Sequence, residues 1–298
     1  MERRRYGSTD MEVSALGFGG SEIQSGVSLS VVEQLLSSAL DAGLNLIDTA
    51  ECYGDSEELI GRAVSGRRQD YYLFTKCGHA KELEGEDWSP AMLEQSIDRS
   101  LKRLRTDAVD MIHLHSCSEE VLKRGDVIEV LLRAKKKGKT RYIGYSGDHK
   151  AARYAVESGL FDSLMTSFNI ADQEAATLTL PLARDKGMGV TIKRPVANVA
   201  WLGGSEPKSE YAKPYWERLQ KLDYPFLKDN AEESVRTALR FALTPEAVHT
   251  AIVGTTKPGR WSENASMLRE ASRLDEEAYV SIRSRWDKTA GSDWVGLG

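Results

Sequence analysis

The feature that most constrains the fold is a regular alternation of strand-length apolar runs with longer stretches of helical spacing. The runs predicted to be strands are Leu16–Gly19, Leu44–Asp48, Tyr71–Lys76, Val109–His115, Arg141–Ser146, Ser163–Phe168, Gly189–Lys193 and Val248–Val253. Helices are predicted over residues 30–42, 118–137, 149–158, 172–186, 232–242 and 260–271, and another begins at Pro90 behind the N-cap Ser89. Eight strand–helix units with right-handed crossovers predict an α/β fold, the (β/α)8 TIM barrel.

Two segments fall outside this repeat. Residues 3–7 and 12–16 flank the turn sequence Gly7–Ser8–Thr9–Asp10, which predicts a β-hairpin that caps the N-terminal end of the barrel. After the seventh strand a long loop runs from about Asn198 to Asn230 and is rich in aromatic residues. Because the sequence shows neither an internal repeat nor a linker, we expect a single domain over residues 1–298.

The main structural alternative is an open, doubly wound sheet. That fold binds dinucleotides through a G-x-G-x-x-G turn between its first strand and first helix. The residues at the corresponding point here, Gly17–Phe18–Gly19–Gly20–Ser21, do not match that pattern. The barrel is therefore the preferred prediction.

Composition excludes several classes of partner. The net charge is −5, so no basic field favours nucleic acid or an anionic membrane. The sequence shows neither a secretory leader nor an apolar run near the roughly 18 residues of a membrane helix. The three cysteines, Cys52, Cys77 and Cys117, form no Cys-x-x-Cys pair, which favours a reduced, cytoplasmic protein and leaves a redox role as a minor alternative. The sequence leaves the oligomeric state open.

Four polar residues stand at or just after the ends of successive predicted strands. Asp48 closes the second strand and Tyr53 follows it, Lys76 closes the third, and His115 closes the fourth. Because the C-terminal ends of barrel strands open onto one rim, we expect these side chains to meet there. A carboxylate, a phenol, an ammonium and an imidazole together predict a site for proton transfer, and hence an enzyme.

The chemistry of this set fits carbonyl reduction, in which the developing alkoxide must receive a proton. A phenol is a poor acid at neutral pH, so we expect the Lys76 ammonium to lower the pKa of Tyr53. Asp48 is expected to hold the lysine charged, and His115 to orient the substrate. Each residue alone is compatible with a purely structural role, but a lysine inside a barrel needs a partner, and the four together favour an active site.

The chain resembles the aldo-keto reductases. The resemblance is carried by five stretches, DTAECYGDSE, LFTK, VDMIHLH, RYIGYS and VGTTKPGRWSEN, at residues 48–57, 73–76, 109–115, 141–146 and 253–264. These stretches follow the order of the family from the N-terminal hairpin to the eighth helix. The resemblance therefore covers nearly the whole chain.

This resemblance implies an NADP(H)-dependent oxidoreductase, with NAD(H) as the alternative cofactor, that reduces small-molecule aldehydes or ketones to alcohols. It implies a catalytic tetrad of Asp48, Tyr53, Lys76 and His115, with Tyr53 as the acid–base group, and no metal. The predicted cofactor-binding residues are Gly19, Ser146, Asn169, Lys193, Arg194, Thr255, Thr256, Arg260, Glu263 and Asn264. Ser146 and Asn169 are implied for the nicotinamide carboxamide and Arg260 for the 2′-phosphate, which a guanidinium binds well.

Trp201 in the long loop and Trp294 in the C-terminal tail are the predicted substrate contacts. The alternative for the loop aromatics is that they anchor the loop against the barrel. Because these side chains are large and apolar, the first interpretation favours an apolar or aromatic carbonyl substrate.

The sequence also departs from the family pattern around the cofactor. Asp148 lies near a position usually held by asparagine, Met165 replaces a glutamine, and Gly254 replaces a lysine that assists the 2′-phosphate. The aromatic residue that often stacks on the nicotinamide is replaced by Lys193 or Arg194. These changes weaken the expectation of a strict NADPH preference, and Lys193, Arg194 and Lys257 are candidates for the missing positive charge.

Two functional alternatives stay open at this point. One is a cofactor-binding redox sensor or regulatory subunit with little turnover. The other is a Schiff-base aldolase, because Lys76 and Lys193 both end barrel strands and a desolvated lysine can act as a nucleophile.

Overall fold

A computed structural model of the chain describes residues 1–79 and 82–297. Its strands are β1 (Arg3–Arg5), β2 (Glu12–Ser14), β3 (Leu16–Gly19), β4 (Leu46–Asp48), β5 (Tyr72–Cys77), β6 (Val109–His115), β7 (Thr140–Ser146), β8 (Ser163–Ser167), β9 (Gly189–Lys193) and β10 (Thr250–Val253). Within the described residues, β3 to β10 are parallel neighbours that close into an eight-stranded barrel, in which β10 pairs with both β9 and β3. The predicted (β/α)8 barrel is confirmed.

Helices surround the barrel. They are α1 (Leu29–Asp41), α2 (Ser56–Val64), α3 (Pro90–Leu104), α4 (Glu119–Arg124), α5 (Asp126–Lys136), α6 (His149–Ser158), α7 (Ala175–Leu178), α8 (Leu180–Asp185), α9 (Lys213–Leu222), α10 (Ala231–Leu243), α11 (Arg260–Ser266) and α12 (Glu276–Thr289). Within the described residues, no helix is both long and apolar enough to cross a bilayer.

Several predicted helices were wrong in extent. Residues 118–137 form two helices, because Gly125 between them takes a left-handed conformation with φ of 81°. Residues 172–186 are also broken, at Thr179, where Pro181 lies in the first turn of the following helix and lacks a backbone N–H. The segment between β9 and α10 is not an irregular loop, since it contains the ten-residue helix α9. The helices α2 and α12 were not predicted.

The N-terminal hairpin closes the bottom of the barrel as predicted. Strands β1 and β2 pair antiparallel, and Tyr6, Met11 and Val13 form a buried cluster with inward-facing side chains of the barrel such as Phe74. The hydroxyl of Tyr6 lies 2.6 Å from the Oγ atom of Ser163 and 2.7 Å from Oγ1 of Thr191. Because its hydroxyl finds partners on the barrel wall, a tyrosine can be fully buried there.

Gly189 leaves the space that the Tyr6 ring occupies. A Cβ atom at position 189 would lie 2.2 Å from Cε1 of Tyr6. We therefore expect Gly189→Ala to lower the free energy of unfolding by about 1–3 kcal/mol through overpacking. Urea denaturation measures this loss, and Gly66→Ala is the control, since nothing lies within 4 Å of a Cβ atom there. Equal stability of the two variants would contradict a tight fit of the hairpin.

Strand alternation positions the polar residues above this apolar layer. Leu46, Phe74 and Met111 belong to the cluster inside the barrel, and side chains on a strand alternate between its two faces. Asp48 and Lys76 therefore face the interior two residues further along β4 and β5. The barrel consequently has an apolar N-terminal end and a polar C-terminal end.

Candidate active site

The ion pair between Lys76 and Asp48 is the centre of the polar end. The Nζ atom of Lys76 lies 2.6 Å from Oδ2 of Asp48 and donates to the carbonyl of Thr49 at 2.8 Å, and the two charged side chains are 2% and 1% exposed. Burial on its own lowers the pKa of Lys76, but the contact with the Asp48 carboxylate raises it, and the pKa lies above its usual value. The lysine is therefore held as an ammonium.

Tyr53 lies beside this ammonium, in the turn between β4 and α2. The Nζ atom of Lys76 is 5.0 Å from the centre of the Tyr53 ring. Burial raises the pKa of Tyr53, and Lys76 lowers it as expected, but by less, so the pKa lies above its usual value. Tyr53 is thus a protonated phenol whose phenolate would form next to a cation.

His115 completes the cluster as a neutral imidazole. Its ring meets the ring of Tyr53 edge to face, with 5.7 Å between the centres. Burial, helped by the charge of Lys76, holds the pKa of His115 well below its usual value of 6.5. The neighbouring His113 lies deeper in the barrel, where its Nε2 atom is 3.0 Å from Oγ of Ser163, and burial lowers its pKa to about 3. His113 therefore fits a purely structural role, whereas His115 is the imidazole at the C-terminal mouth of the barrel.

These pKa directions predict a flat pH profile for carbonyl reduction. The pKa of His115 lies below 6.5 and that of Tyr53 lies above 10.0, so between these values neither group changes charge. We expect kcat for reduction to show no inflection in this window, and to fall only at higher pH, as Tyr53 loses its proton. Initial rates at saturating substrate and cofactor measure the profile. An inflection near neutral pH would contradict the assigned protonation states.

Two residues that follow β5 also border the cluster and were not predicted. The ring of His79 meets the ring of His115 edge to face at 5.4 Å, and Trp88 packs on His79 at 4.6 Å. The Nδ1 atom of His79 is 3.4 Å from Oδ2 of Asp87. An available signal was the position of His79, three residues after Lys76 and just beyond the end of β5.

Ser146 is placed where it can meet a ligand. It closes β7, its backbone pairs with His115, and its side chain lies on the inward-facing side of the strand. Among the described residues its Oγ atom is a buried hydroxyl with no hydrogen-bond partner. Its position beside His115, on the same face of the barrel wall, places this hydroxyl next to the polar cluster. Asn169, by contrast, already donates to the carbonyl of Arg194 and accepts from the N–H of Ala171.

Lys193 forms a second buried ion pair at the same end. Its Nζ atom lies 2.8 Å from Oδ2 of Asp148, which also accepts hydrogen bonds from Thr166 and Ser167. Burial lowers the pKa of Lys193, and Asp148 opposes this effect. Its charge reaches the cluster, because it contributes to the low pKa of His115.

Arg194 adds a cation whose contacts are with neutral groups. Its guanidinium lies 4.4 Å from the centre of the Tyr211 ring, and it donates to the carbonyl of Leu297 and to the hydroxyl of Tyr215. The charge of Arg194 lies close enough to Lys193 to contribute to the lowered pKa of that lysine.

The residues predicted for the adenosine end are grouped after β10. Gly19 closes β3 next to β10, and Thr255 is buried and accepts a hydrogen bond from the N–H of Lys257. Arg260 begins α11 and pairs with Glu263 at 3.2 Å. The side chains of Arg260 and Glu263 are 46% and 60% exposed, so both can reorient to meet a ligand. The remaining members of this group are the exposed Thr256 and the half-buried Asn264.

The two tryptophans predicted to contact substrate have other partners in this structure. The indole of Trp201 donates to Oγ of Ser234 on α10, which favours the anchoring interpretation. Trp294 packs against Trp286 at 5.0 Å and under the guanidinium of Arg218 at 5.2 Å. The tail that carries Trp294 does reach the polar end, since its Leu297 accepts a hydrogen bond from Arg194.

Two buried thiols, Cys77 and Cys117, lie close in sequence to Lys76 and His115. Burial raises the pKa of Cys77 far above its usual value and that of Cys117 to about 12, which makes both poor nucleophiles. Within residues 1–79 and 82–297, no group of three or more His, Cys, Asp and Glu side chains could hold a metal ion.

The closed parallel barrel thus brings a buried lysine–carboxylate pair, a tyrosine and an imidazole together at its mouth. The chain belongs to the Aldo/keto reductase family, whose model matches residues 15–287. It is 28% identical to L-galactose dehydrogenase of Arabidopsis thaliana over 99% of this chain and 97% of that protein. It is 29% identical to the NADH-specific methylglyoxal reductase of Escherichia coli over 66% of this chain and 68% of that protein. The family uses nicotinamide cofactors and acts on small-molecule carbonyl compounds.

The fold agrees with solved structures of the same family. The holo form of the aldo-keto reductase AKR11C1 from Bacillus halodurans superposes with a TM-score of 0.84 and 26% sequence identity. The match covers 99% of each chain. The resemblance read from the sequence is thereby confirmed.

Proposed function

We propose that this protein is an NADP(H)-dependent reductase of aldehydes or ketones, with Tyr53 as the proton donor. The observation that carries the proposal is the buried Lys76 ammonium, which contacts the Asp48 carboxylate and lies over the Tyr53 ring, with His115 beside that ring. A neutral phenol next to a fixed cation can give up a proton at the moment when an alkoxide develops.

Each residue of the cluster has a separate part in this mechanism. The nicotinamide cofactor, when bound, supplies the hydride. Tyr53 donates its phenolic proton to the substrate oxygen, and the Lys76 ammonium stabilises the phenolate that remains. Asp48 holds the ammonium in place, and its burial keeps water from screening the pair. His115 is neutral, so it can orient the carbonyl oxygen through one N–H without adding charge.

The residues around the mouth fit a dinucleotide. The unsatisfied hydroxyl of Ser146 and the amide of Asn169 would hold the nicotinamide carboxamide beside the cluster. Arg194 and Lys193 would supply positive charge for the pyrophosphate. We assign the adenosine end to Gly19, Thr255, Thr256, Arg260, Glu263 and Asn264.

The choice between NADP(H) and NAD(H) depends mainly on Arg260. Its guanidinium is partly exposed, is paired with Glu263, and could bind a 2′-phosphate in a bidentate manner. The name of the Escherichia coli relative, NADH-specific methylglyoxal reductase, keeps NAD(H) as the alternative.

The substrate is a small carbonyl compound that contacts His79 and Trp88. These two rings border His115, whereas Trp201 and Trp294 are engaged elsewhere. The relatives are named for a sugar and for methylglyoxal, so both polar and aromatic carbonyl compounds belong in a test.

The first experiment is a fluorescence titration of the protein with NADPH and NADH, followed by addition of aromatic aldehydes, methylglyoxal and aldoses. We expect tighter binding of NADPH and oxidation of the cofactor when a carbonyl compound is added. Binding without turnover across the panel would favour the redox sensor. Failure to bind either cofactor would refute the proposal.

Replacing Arg260 with alanine tests the cofactor preference. We expect Kd for NADPH to rise by about 10- to 100-fold, because a charge-assisted contact to the 2′-phosphate is lost. Kd for NADH should change little, since NADH has no phosphate at that position. Arg269→Ala, which removes an exposed arginine beyond the end of α11, is the control. Equal weakening of both cofactors would contradict a contact with the 2′-phosphate.

The aldolase alternative is disfavoured by the state of the two lysines. Lys76 is held charged by Asp48, and an ammonium is not a nucleophile. Lys193 is paired with Asp148 at 2.8 Å. Borohydride trapping of a carbonyl compound on either lysine would revive this alternative.

A further inference from the structure

The imidazole of His115 has a polar contact that the proposed mechanism does not use. Its Nδ1 atom lies 3.4 Å from the Sγ atom of Cys52. Cys52 directly precedes Tyr53, so one short turn after β4 brings both the thiol and the phenol to the imidazole. The rings of Tyr53 and His79 meet the same imidazole edge to face. The ring is therefore held by a hydrogen bond at Nδ1 and by two aromatic neighbours.

A neutral imidazole carries its single proton on only one of its nitrogens. If Cys52 donates its S–H to Nδ1, the proton of His115 must be on Nε2. In the opposite tautomer Nδ1–H would donate to the sulfur, and a thiol is a weak partner in either direction. The direction of the Cys52–His115 contact therefore corresponds to one tautomer or the other, and an experiment that reads the tautomer also reads that direction.

We propose that Cys52 is a positioning residue that holds His115 as the Nε2–H tautomer, with that N–H free to donate to the carbonyl oxygen of the substrate. The consequence for turnover rests on the proposed reductase function, whereas the tautomer itself does not. Cys52, the residue before the proton donor Tyr53, would then have a defined role. It would explain how the neutral His115 presents an N–H at Nε2 to the substrate rather than a lone pair.

The tautomer can be read directly by NMR. In a two-bond 1H–15N correlation spectrum, the protonated and the unprotonated nitrogen of a neutral imidazole resonate far apart. The chain has five histidines, so His115→Asn identifies the signals of His115. We expect the Nε2–H pattern in the wild-type protein and in Cys52→Ser, whose hydroxyl can also donate to Nδ1. In Cys52→Ala we expect the Nδ1–H form to become populated.

Two spectroscopic outcomes would overturn the proposal. One is the Nδ1–H tautomer in the wild-type protein. The other is a Cys52→Ala spectrum in which His115 is unchanged. Both can be obtained without cofactor or substrate, so they remain decisive even if no carbonyl compound is ever reduced.

Kinetics test the functional part. We expect Cys52→Ala to lower kcat by about two- to tenfold, the range for loss of one neutral hydrogen bond, with an unchanged Kd for the cofactor. Cys52→Ser should restore most of kcat. Cys117→Ala is the control, because it removes a different thiol, at a buried position where the backbone carbonyl accepts from Tyr145. A shifted tautomer with wild-type kcat would refute the positioning role, and an inactive wild-type protein would refute the reductase assignment instead.

Discussion

Replacing Tyr53 with phenylalanine is expected to lower kcat for carbonyl reduction by about 10²- to 10⁴-fold, the usual contribution of a positioned general acid. The substitution removes one oxygen atom and keeps the ring that lies over Lys76 and against His115. Cofactor affinity should therefore stay close to wild type. Stopped-flow oxidation of bound NADPH after addition of aldehyde measures the chemical step.

Tyr72→Phe is the matched control for this experiment. The Tyr72 hydroxyl accepts a hydrogen bond from the N–H of Glu12 in the hairpin, at the opposite end of the barrel. Its loss should leave kcat unchanged. A Tyr53→Phe protein that reduces the substrate at the wild-type rate would show that the proton comes from elsewhere, and the site assignment would fail.

Lys76→Met is expected to lower the free energy of unfolding by about 3–5 kcal/mol, the usual effect of removing one partner of a buried ion pair. The Asp48 side chain is 1% exposed, and the substitution takes away the ammonium that contacts its carboxyl group. Burial raises the pKa of Asp48, and Lys76 is the largest opposing influence, so without Lys76 the carboxyl takes up a proton at a higher pH.

The pH dependence of this loss has a definite sign. A folded-state pKa above the unfolded value favours folding below the unfolded pKa, and this contribution is lost as the pH rises through the folded pKa. The stability gap between the wild-type protein and Lys76→Met should therefore narrow as the pH falls towards 3.8, the usual pKa of aspartate. Urea denaturation of both proteins at several pH values measures this difference in the free energy of unfolding.

The double variant Lys76→Met/Asp48→Leu is the control. It removes both charges, so it should recover much of the lost stability while remaining inactive. If Lys76→Met were as stable as the wild-type protein at neutral pH, the ion pair would not be a buried, coupled unit.

The barrel could be predicted because each strand and helix carries its own local signal. Apolar runs such as Val109–His115 alternate with helical patterns, and the hairpin is marked by its turn residues. The helices and helix breaks that the sequence analysis missed lie where local signals are weak. Helix α2 begins directly after the turn that carries Tyr53, and the break between α4 and α5 depends on the single left-handed residue Gly125.

The four residues of the polar cluster could be grouped from the sequence, but neither their electrostatics nor their aromatic neighbours could. Asp48, Lys76 and His115 could be grouped because parallel strands end on a common rim. The pKa of Tyr53 could not be predicted, since its direction depends on whether burial or the charge of Lys76 dominates. That balance is a property of packing.

Short-range periodicity in the sequence was enough to predict the eight barrel strands, the type of barrel and the polar residues near the strand ends. The packed structure was needed to show that Lys193 pairs with Asp148, that Cys52 meets His115, and that His79 and Trp88 rather than Trp201 border the cluster. These contacts join residues far apart in the chain. Distances of this kind are set by how loops pack over the rim, for which a linear sequence carries no periodic signal.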